Sequence, residues 1–575
     1  MSEDHEDAAF DKIMELVGND GKFQRVFNNI YNVVLVSFAS MSFMNIVMVL
    51  NEPDHTCHVP GRENFSMSVD EWMNLTIPME QDNRGIMSKS QCKMYNISLF
   101  ENLPIDQWSF NENDIISCQY GYDYNKTWYE RTTVSDQDWI CDKALYQTNI
   151  FAWHRVGEVI GTFCFGQLGD TIGRRPVFYL SALFILLGRI MTTLTASIYF
   201  IYVIASIMSM LTSMSIFLSP LIIAMETSKE EDRAKIAMLQ CIGWTIGISV
   251  MPLVFWAVRD WVWFLMITTL PIGLFTLYPK YMIESPRWLA TKRYLTRCAN
   301  ELNRIAKING KKIVVTEKML VEMLPNEKVE EVYGIASLFT GWRLAKNTIL
   351  IIICWTNVST TYYVLILNST RMGGNPFLSF LYQSAIELPA FIVGRWMGDR
   401  IGRRFSNALA FLGMSIACIP AAIVARDIES ELTLTIIVVF IKFCTSITFF
   451  AVNLQSMEIY PTCLRQSGIA VGSIVANSLA VFGPYIVHLG TQYDVRYPYF
   501  VLGGLCFMGF CAAMFLPETL HHKLPNTLHE AKKFGKEQKF WALPKKSKHL
   551  KEEDLESLQK LNNNNNINFE NNQKA

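Results

Sequence analysis

The stretch Trp153-His154-Arg155-Val156-Gly157-Glu158 puts three ionisable side chains within five residues of an otherwise apolar run. On a helix, His154 and Glu158 lie one turn apart on the same face, and Arg155 and Glu158 three residues apart. Charge inside such a run is costly, so each group needs an internal partner or a ligand. Glu158 can receive an ammonium group, and Arg155 can hold a carboxylate through two parallel hydrogen bonds. His154 titrates near neutrality and offers proton coupling. The alternative is an Arg155–Glu158 pair that satisfies itself and touches no ligand. Trp355 and Tyr362 are seven residues apart, hence on one helical face over two turns, with Tyr363 following. Aromatic faces so arranged attract a cation. Gln240 and Trp244, one turn apart, are weaker candidates.

The elements that position these residues are membrane helices. Half of the 575 residues are hydrophobic and only 18% are charged. The charges are segregated, leaving twelve apolar stretches of about 18 to 25 residues, each long enough to cross the hydrocarbon core as a helix. The expected class is an all-α membrane protein of two six-helix halves, 26–283 and 346–516, with a large loop at 51–143. Gly169-Asp170-Thr171-Ile172-Gly173-Arg174-Arg175 matches Gly398-Asp399-Arg400-Ile401-Gly402-Arg403-Arg404 at six of seven positions. Glu226 with Arg233 and Glu284-Ser285 in the first half echo Glu458 with Arg465 and Glu518-Thr519 in the second. Landmarks repeated in register are the mark of two parallel halves around a site at the bilayer midplane. The sixth helix is expected over 262–283.

The linker 284–345 is rich in Lys and Arg and the loop 51–143 is acid-rich, so residues 1–25, the linker and the tail 517–575 are expected in the cytoplasm, with the loop outside. Glycosylation sequons at Asn64, Asn74, Asn96, Asn125 and Asn368 agree, the last expected just beyond the seventh helix. Asn357 fits the same pattern inside a helix and is not usable. The loop also holds Cys57, Cys92, Cys118 and Cys141, an even set that predicts two disulfides of undetermined pairing. The remaining nine cysteines lack metal-ligand spacing and read as packing residues. Leu289, Leu295, Leu302 and Ile305 predict short interfacial helices in the linker, and the polar tail ending in Asn562 to Asn566 reads as disordered. The polar first 22 residues, before a long apolar run, do not fit a cleavable signal peptide.

The repeated GDxxGRR turn resembles the loop motif of the major facilitator superfamily. Pro53-Asp54-His55-Thr56-Cys57, Glu284-Ser285-Pro286-Arg287-Trp288-Leu289, Glu387-Leu388-Pro389-Ala390, Glu458-Ile459-Tyr460-Pro461-Thr462 and Pro517-Glu518-Thr519-Leu520, followed by Leu524-Pro525-Asn526-Thr527, narrow the resemblance to organic cation, organic anion and carnitine transporters. The resemblance implies that the seventh-helix aromatics line a central cavity, that Glu387 neutralises a bound amine, and that Lys442 holds a carboxylate or pairs with Glu387. At Asn477, cation-transporting relatives carry Asp and anion or carnitine relatives Arg, so the charge preference is mixed. Asp170, Arg174, Glu226 and Arg233, with Asp399, Arg400, Arg403, Glu458 and Arg465, are expected to form a cytoplasmic gate. Thr171 departs from the arginine the family leads one to expect, while Arg400 keeps it.

Together these features predict a plasma-membrane transporter of small organic cations or zwitterionic amines: carnitine-like molecules, β-alanine or its amine conjugates. An organic anion exchanger or a non-transporting receptor-like relative are the alternatives. Sodium or proton coupling is compatible with the scaffold. No nucleotide-binding loop, nucleophile–base pair or metal cluster is visible, so no cofactor, nucleic acid or enzymatic chemistry is expected.

Overall fold

The computed structural model describes residues 10 and 12–538, apart from 66, 100–107, 109, 278–280, 324–334, 371, 373, 428–429, 462–463, 521–524, 526–527 and 537. Thr462, Cys463, Leu524, Asn526, Thr527 and most of the tail, including Asn562 to Asn566, lie outside the described residues.

Among the described residues, ten helices are long and apolar enough to cross a bilayer. They are α1 (Lys22–Val49), α3 (Arg174–Leu194), α4 (Tyr199–Glu226), α5 (Lys235–Val258), α7 (Trp342–Ser369), α8 (Pro376–Ile401), α9 (Arg403–Val424), α10 (Glu431–Ile459), α11 (Ser467–Gln492) and α12 (Tyr497–Phe515). Two more complete the set of twelve: α2 (Leu145–Ile172), which carries the Arg155–Glu158 charges, and the shorter α6 (Trp261–Thr276). α6 ends at Thr276, short of the expected 283. Asn368 lies within the last turn of α7, not beyond it, and its amide donates to the Tyr499 hydroxyl at 3.0 Å. That makes it a helix-end contact rather than a free loop acceptor. Asn357 is fully buried in the same helix.

Helix spacing is set by close backbone approaches. A Cβ on Gly243 would lie 2.8 Å from the Val33 carbonyl oxygen, and one on Gly247 2.2 Å from that of Ser37. Only glycine lets α5 come this near α1, and the Ser37 and Ser40 hydroxyls then donate to the carbonyls of Gly243 and Trp244. This contact seats the Trp244 turn.

The loop 51–143 caps one end of the bundle, the loop end; the linker between α6 and α7 lies at the other, the linker end. In the loop, β1 (His55–Cys57) pairs with β6 (Tyr122–Tyr124), β2 (Met79–Gln81) with β3 (Met87–Lys89), and β4 (Lys93–Tyr95) with β5 (Ile115–Ser117), all antiparallel. Cys57, Val59, Trp72 and Met94 form its small core. Disulfides join Cys57 to Cys118 and Cys92 to Cys141, which resolves the pairing. Asn74 and Asn125 are exposed and Asn96 half-buried. The loop is tied to α6 by Arg131, paired with Asp260 at 3.2 Å, and to the second half by Asn83, whose amide donates to the carbonyls of Gly490 and Thr491.

The linker helices Pro286–Thr291 and Leu295–Ile308 bury Leu289, Leu302 and Ile305 against protein rather than lipid. Their partners are near the start of the chain: Asn309 bonds to the Gly18 carbonyl at 2.8 Å and accepts from the Phe23 amide, and Arg287 lies over Phe10. The amphipathic spacing correctly marks helices but not what covers them.

Candidate functional site

Two buried ion pairs occupy the middle of the bundle. In α2 the Arg155 guanidinium pairs with Glu158 on the same helix, both almost wholly buried. Arg155 also lies over the Tyr363 ring of α7, 4.1 Å from its centroid. In the other half, Lys442 of α10 meets Glu387 of α8 at 2.8 Å, each 1% exposed at the side chain. The Lys442 ammonium sits 3.2 Å from the Tyr362 ring centroid. Burying a lone charge at this depth would cost several kcal/mol, and pairing offsets it.

Aromatic rings surround these pairs. Trp244 stacks edge-on with Phe43 and Phe217, at 5.6 and 5.5 Å. Trp355 packs on Phe449 and donates to Ser456 at 3.0 Å; Tyr362 also contacts Phe449. Gln240 donates to the Phe217 carbonyl at 2.9 Å, which orients it along the same wall. Tyr362, Trp244, Gln240 and Asn477 remain partly accessible, whereas Trp355, Tyr363, Arg155, Glu158, Glu387 and Lys442 are buried. Except for Asn477, for which no contact joins α11 to this group among the described residues, the predicted residues converge in two layers: Trp244, Tyr362 and Gln240 in front, ion pairs behind.

Four further residues escaped sequence reading. Phe43, Phe217 and Phe449 complete the aromatic wall without any periodic signal of their own. Arg189, a lone charge in the apolar run of α3, is buried and donates to the Ser42 carbonyl at 2.9 Å. His154 lies near Arg189, between Phe43 of α1 and Ser206 of α4. It is thus buried inside the first half.

The seam is closed at the loop end. Tyr363 donates to the Phe151 carbonyl at 3.2 Å and Tyr485 to Asn149 at 2.9 Å. Phe377 of α8 wedges against Phe255 and Trp256 of α5 and against Tyr129 of the loop. At the linker end, Cβ atoms built on Gly166, Gly169 and Gly398 meet nothing within 4 Å, and the side chains of Asp170 and Asp399 are 76% and 56% exposed. The contacts found across the seam thus gather at the loop end, and the linker end is the more exposed of the two.

The turn motifs explain the internal repeat. Gly173 (φ +103°) and Gly402 (φ +100°) start α3 and α9 in a left-handed conformation that a side chain resists. Each turn delivers two backbone N–H groups to one carboxylate: those of Arg174 and Arg175 to Glu284, and those of Arg403 and Arg404 to Glu518, at 2.9 and 3.2 Å in both halves. A carboxylate at a helix N-terminus is favoured by the helix dipole. Burial raises the Glu284 carboxyl above its ordinary range, opposed by the N–H groups of Ser285, Arg174 and Arg175. Arg174 pairs with Asp170 at 3.1 Å and Glu226 at 3.9 Å; Arg403 pairs with Asp399 at 3.3 Å and Glu458 at 3.4 Å. Glu226 also accepts from Ser285 and Glu458 from Thr519. Arg233 and Arg465 are not the partners of Glu226 and Glu458: among the described residues no ion pair joins them. Seven residues would be two turns, but α4 ends at Glu226 and α10 at Ile459, so the chain breaks before either arginine. Arg400 is exposed, and Thr171 bonds only to the Leu168 carbonyl of its own helix. Each of these pairs stays within its own half, as expected for a linker end that is open.

Comparison with known proteins agrees with this architecture. Residues 108–527 match the family model described as sugar (and other) transporter. The chain is 29% identical to the carcinine transporter of Drosophila melanogaster, over 93% of this chain and 81% of that one. It is 26% identical to the human organic cation/carnitine transporter 2, over 91% and 93%. The xylose transporter XylE of E. coli in a partially occluded inward-open conformation superposes with a TM-score of 0.53 at 12% identity, covering 86% of this chain and 99% of that one, which speaks to the fold alone. Repeat, fold and family model agree, and the chain belongs to the sugar (and other) transporter family of the major facilitator superfamily, with carcinine, organic cation and carnitine transporters among the proteins it is similar to.

Proposed function

We propose that the protein resides in the plasma membrane and carries small organic cations or zwitterionic amines, such as carnitine-like molecules, β-alanine or its amine conjugates. The observation that supports this best is the neutralisation of both central cations. Arg155 is matched by Glu158 and Lys442 by Glu387, so neither is free to recruit an organic anion. The accessible groups in front of them are instead two aromatic rings and an amide, Trp244, Tyr362 and Gln240. An ammonium head is attracted to such ring faces, with carboxylates behind them. A zwitterion's ammonium group, by drawing Glu387 to itself, frees Lys442 for its carboxylate, an exchange that an organic anion alone does not drive.

The basic linker supports a cytoplasmic linker end and cytoplasmic termini, with the sequon-bearing loop outside. The more exposed end of the seam then faces inward. Rocking the halves about the central layer closes the turn motifs against each other and opens the aromatic wedge at the loop end. The test is uptake by cells displaying the protein, with a quaternary cation, a zwitterionic amine and an aromatic carboxylate as labelled probes. Saturable uptake of the first two is expected. Uptake of the carboxylate alone would overturn the reading.

A further inference from the structure

Arg189 has no part in the site described so far. It lies in the apolar run of α3, 2% exposed, and among the described residues no ion pair includes it. A lone charge at this depth is expensive, and its presence marks a functional role. Its Nη2 donates to the Ser42 carbonyl of α1 at 2.9 Å, while its Nε has no partner. A carbonyl oxygen has two lone pairs, so Ser42 accepts this bond and keeps its place in the helix.

The turn of α1 that holds Ser42 is held from three helices. From α6, Thr269 shares a hydrogen bond with the Ser42 hydroxyl at 3.2 Å, and Thr268 accepts from the Asn45 amide at 3.1 Å. From α2, His154 lies against the backbone of Phe43. From α3 comes Arg189, and the base of that strut is fixed as well. A Cβ on Gly188 would lie 2.6 Å from the Ser209 backbone nitrogen, so glycine lets α3 press onto α4 beside Arg189. Within the held turn is Phe43, whose ring meets Trp244 at 5.6 Å and Phe217 at 6.3 Å. Phe43 is buried and Trp244 keeps accessible surface, so the first ring backs the second.

We propose that Arg189 is a positioning residue of the central site: from α3 it holds the Ser42 turn, and so sets the Phe43 ring on which Trp244 stands. It touches no solute. The guanidinium supplies what a hydroxyl at this position would not, a long donor with a planar head that reaches from one helix to the carbonyl of another. Attraction between a ring face and an ammonium group depends on how close the ring centroid comes. A Trp244 ring without its backing therefore holds an amine less well. The effect on amines rests on the amine reading of the central site; the setting of Phe43 does not.

Arg189→Met tests this, since an unbranched apolar side chain removes donor and charge while filling most of the space. Replacing buried charge by a well-packed apolar group is often neutral or stabilising, so the melting temperature is expected at or above that of wild type. The first readout is the fluorine NMR resonance of para-fluorophenylalanine put in place of Phe43, in the purified full-length protein in lipid nanodiscs. It should shift and broaden in Arg189→Met, and an unmoved resonance overturns the proposal. The second is cellular uptake of labelled tetraethylammonium. KM should rise at least about threefold with turnover per surface molecule kept within about twofold, the pattern of lost binding rather than lost motion. An unchanged KM overturns the proposal, as does loss of turnover alone. Phe43→Leu should raise KM by itself, and Arg189→Met should then add no more than about 1.5-fold, because both act through one ring. Effects that multiply in full would place the action of Arg189 elsewhere and overturn the proposal. Arg189→Gln, uncharged and shorter, covers misfolding of Arg189→Met: its fluorine resonance should move too, and no movement overturns the proposal. A wild type that takes up no amine would sink the transport reading, with the resonance still deciding the role of Arg189. Amine uptake with an unmoved resonance would do the reverse.

Discussion

Arg155 and Glu158 meet within one helix, whereas Lys442 and Glu387 meet across two, and the two pairs differ in what they can do. The α2 pair forms as soon as α2 forms, because residues three apart share a helical face. It survives any motion that leaves α2 intact, and what changes around it is its neighbour across the seam, Tyr363. The α8–α10 pair exists only once the second half has packed, and its ammonium rests on Tyr362, a residue that keeps some accessible surface. The first pair is suited to sensing which way the halves lean. The second is suited to sensing what occupies the cavity.

The largest expected effect breaks the second pair. Glu387→Gln leaves Lys442 buried without a counter-charge, a loss of roughly 3–5 kcal/mol that lowers the melting temperature and the amount of protein at the surface. Removing both charges, as Glu387→Gln/Lys442→Met, should recover most of that stability. Amine uptake per surface molecule should nevertheless stay at least about tenfold down, the equivalent of 1.4 kcal/mol. A double variant that transports like wild type would reduce the pair to a structural tie and erase the contrast.

Glu158→Gln comes next. Arg155 keeps the Tyr363 ring and sits at the seam, so the stability loss should fall in the range of roughly 0.5–3 kcal/mol and below that of Glu387→Gln. The exchange Arg155→Glu/Glu158→Arg keeps an intrahelical pair while removing the guanidinium from Tyr363. Its melting temperature should approach wild type while its transport stays impaired. If Glu158→Gln moves every probe at the wild-type rate, the α2 pair has no part in recognition.

The smallest effect sharpens the comparison. Tyr363→Leu removes a cation–π contact worth about 0.5–2 kcal/mol that exists only with the loop end closed. The equilibrium should move towards the opposite-facing state by about twofold to thirtyfold. A cysteine at Gly166, where a Cβ meets no atom within 4 Å, reads this as slower thiol labelling from the linker end. An unchanged labelling rate would mean that the seam does not depend on Tyr363.

Much of this molecule is legible along the chain because membrane helices announce themselves by length, and repeated turns by identity. The capping of both turns by Glu284 and Glu518 is foreshadowed by their shared register, since a left-handed glycine followed by a helix N-terminus requires an acceptor. Reading failed where spacing was carried across a break in the helix, as with Glu226 and Arg233. It also failed where a face was known but its cover was not: Leu302 and Ile305 are buried against protein rather than lipid, with the N-terminal segment bonded to the end of their helix.

What the sequence by itself determined is local: the helices, their halves, the two glycine turns, and the Arg155–Glu158 pair, all set by interactions within a few residues or by apolar length. Only the tertiary structure decided the disulfide pairing, the meeting of Lys442 with Glu387, and the aromatic rings around both pairs. Those depend on which helix faces lie against each other, and in a bilayer that choice is made by close packing and by the cost of an unpaired buried charge, neither of which has a period along the chain.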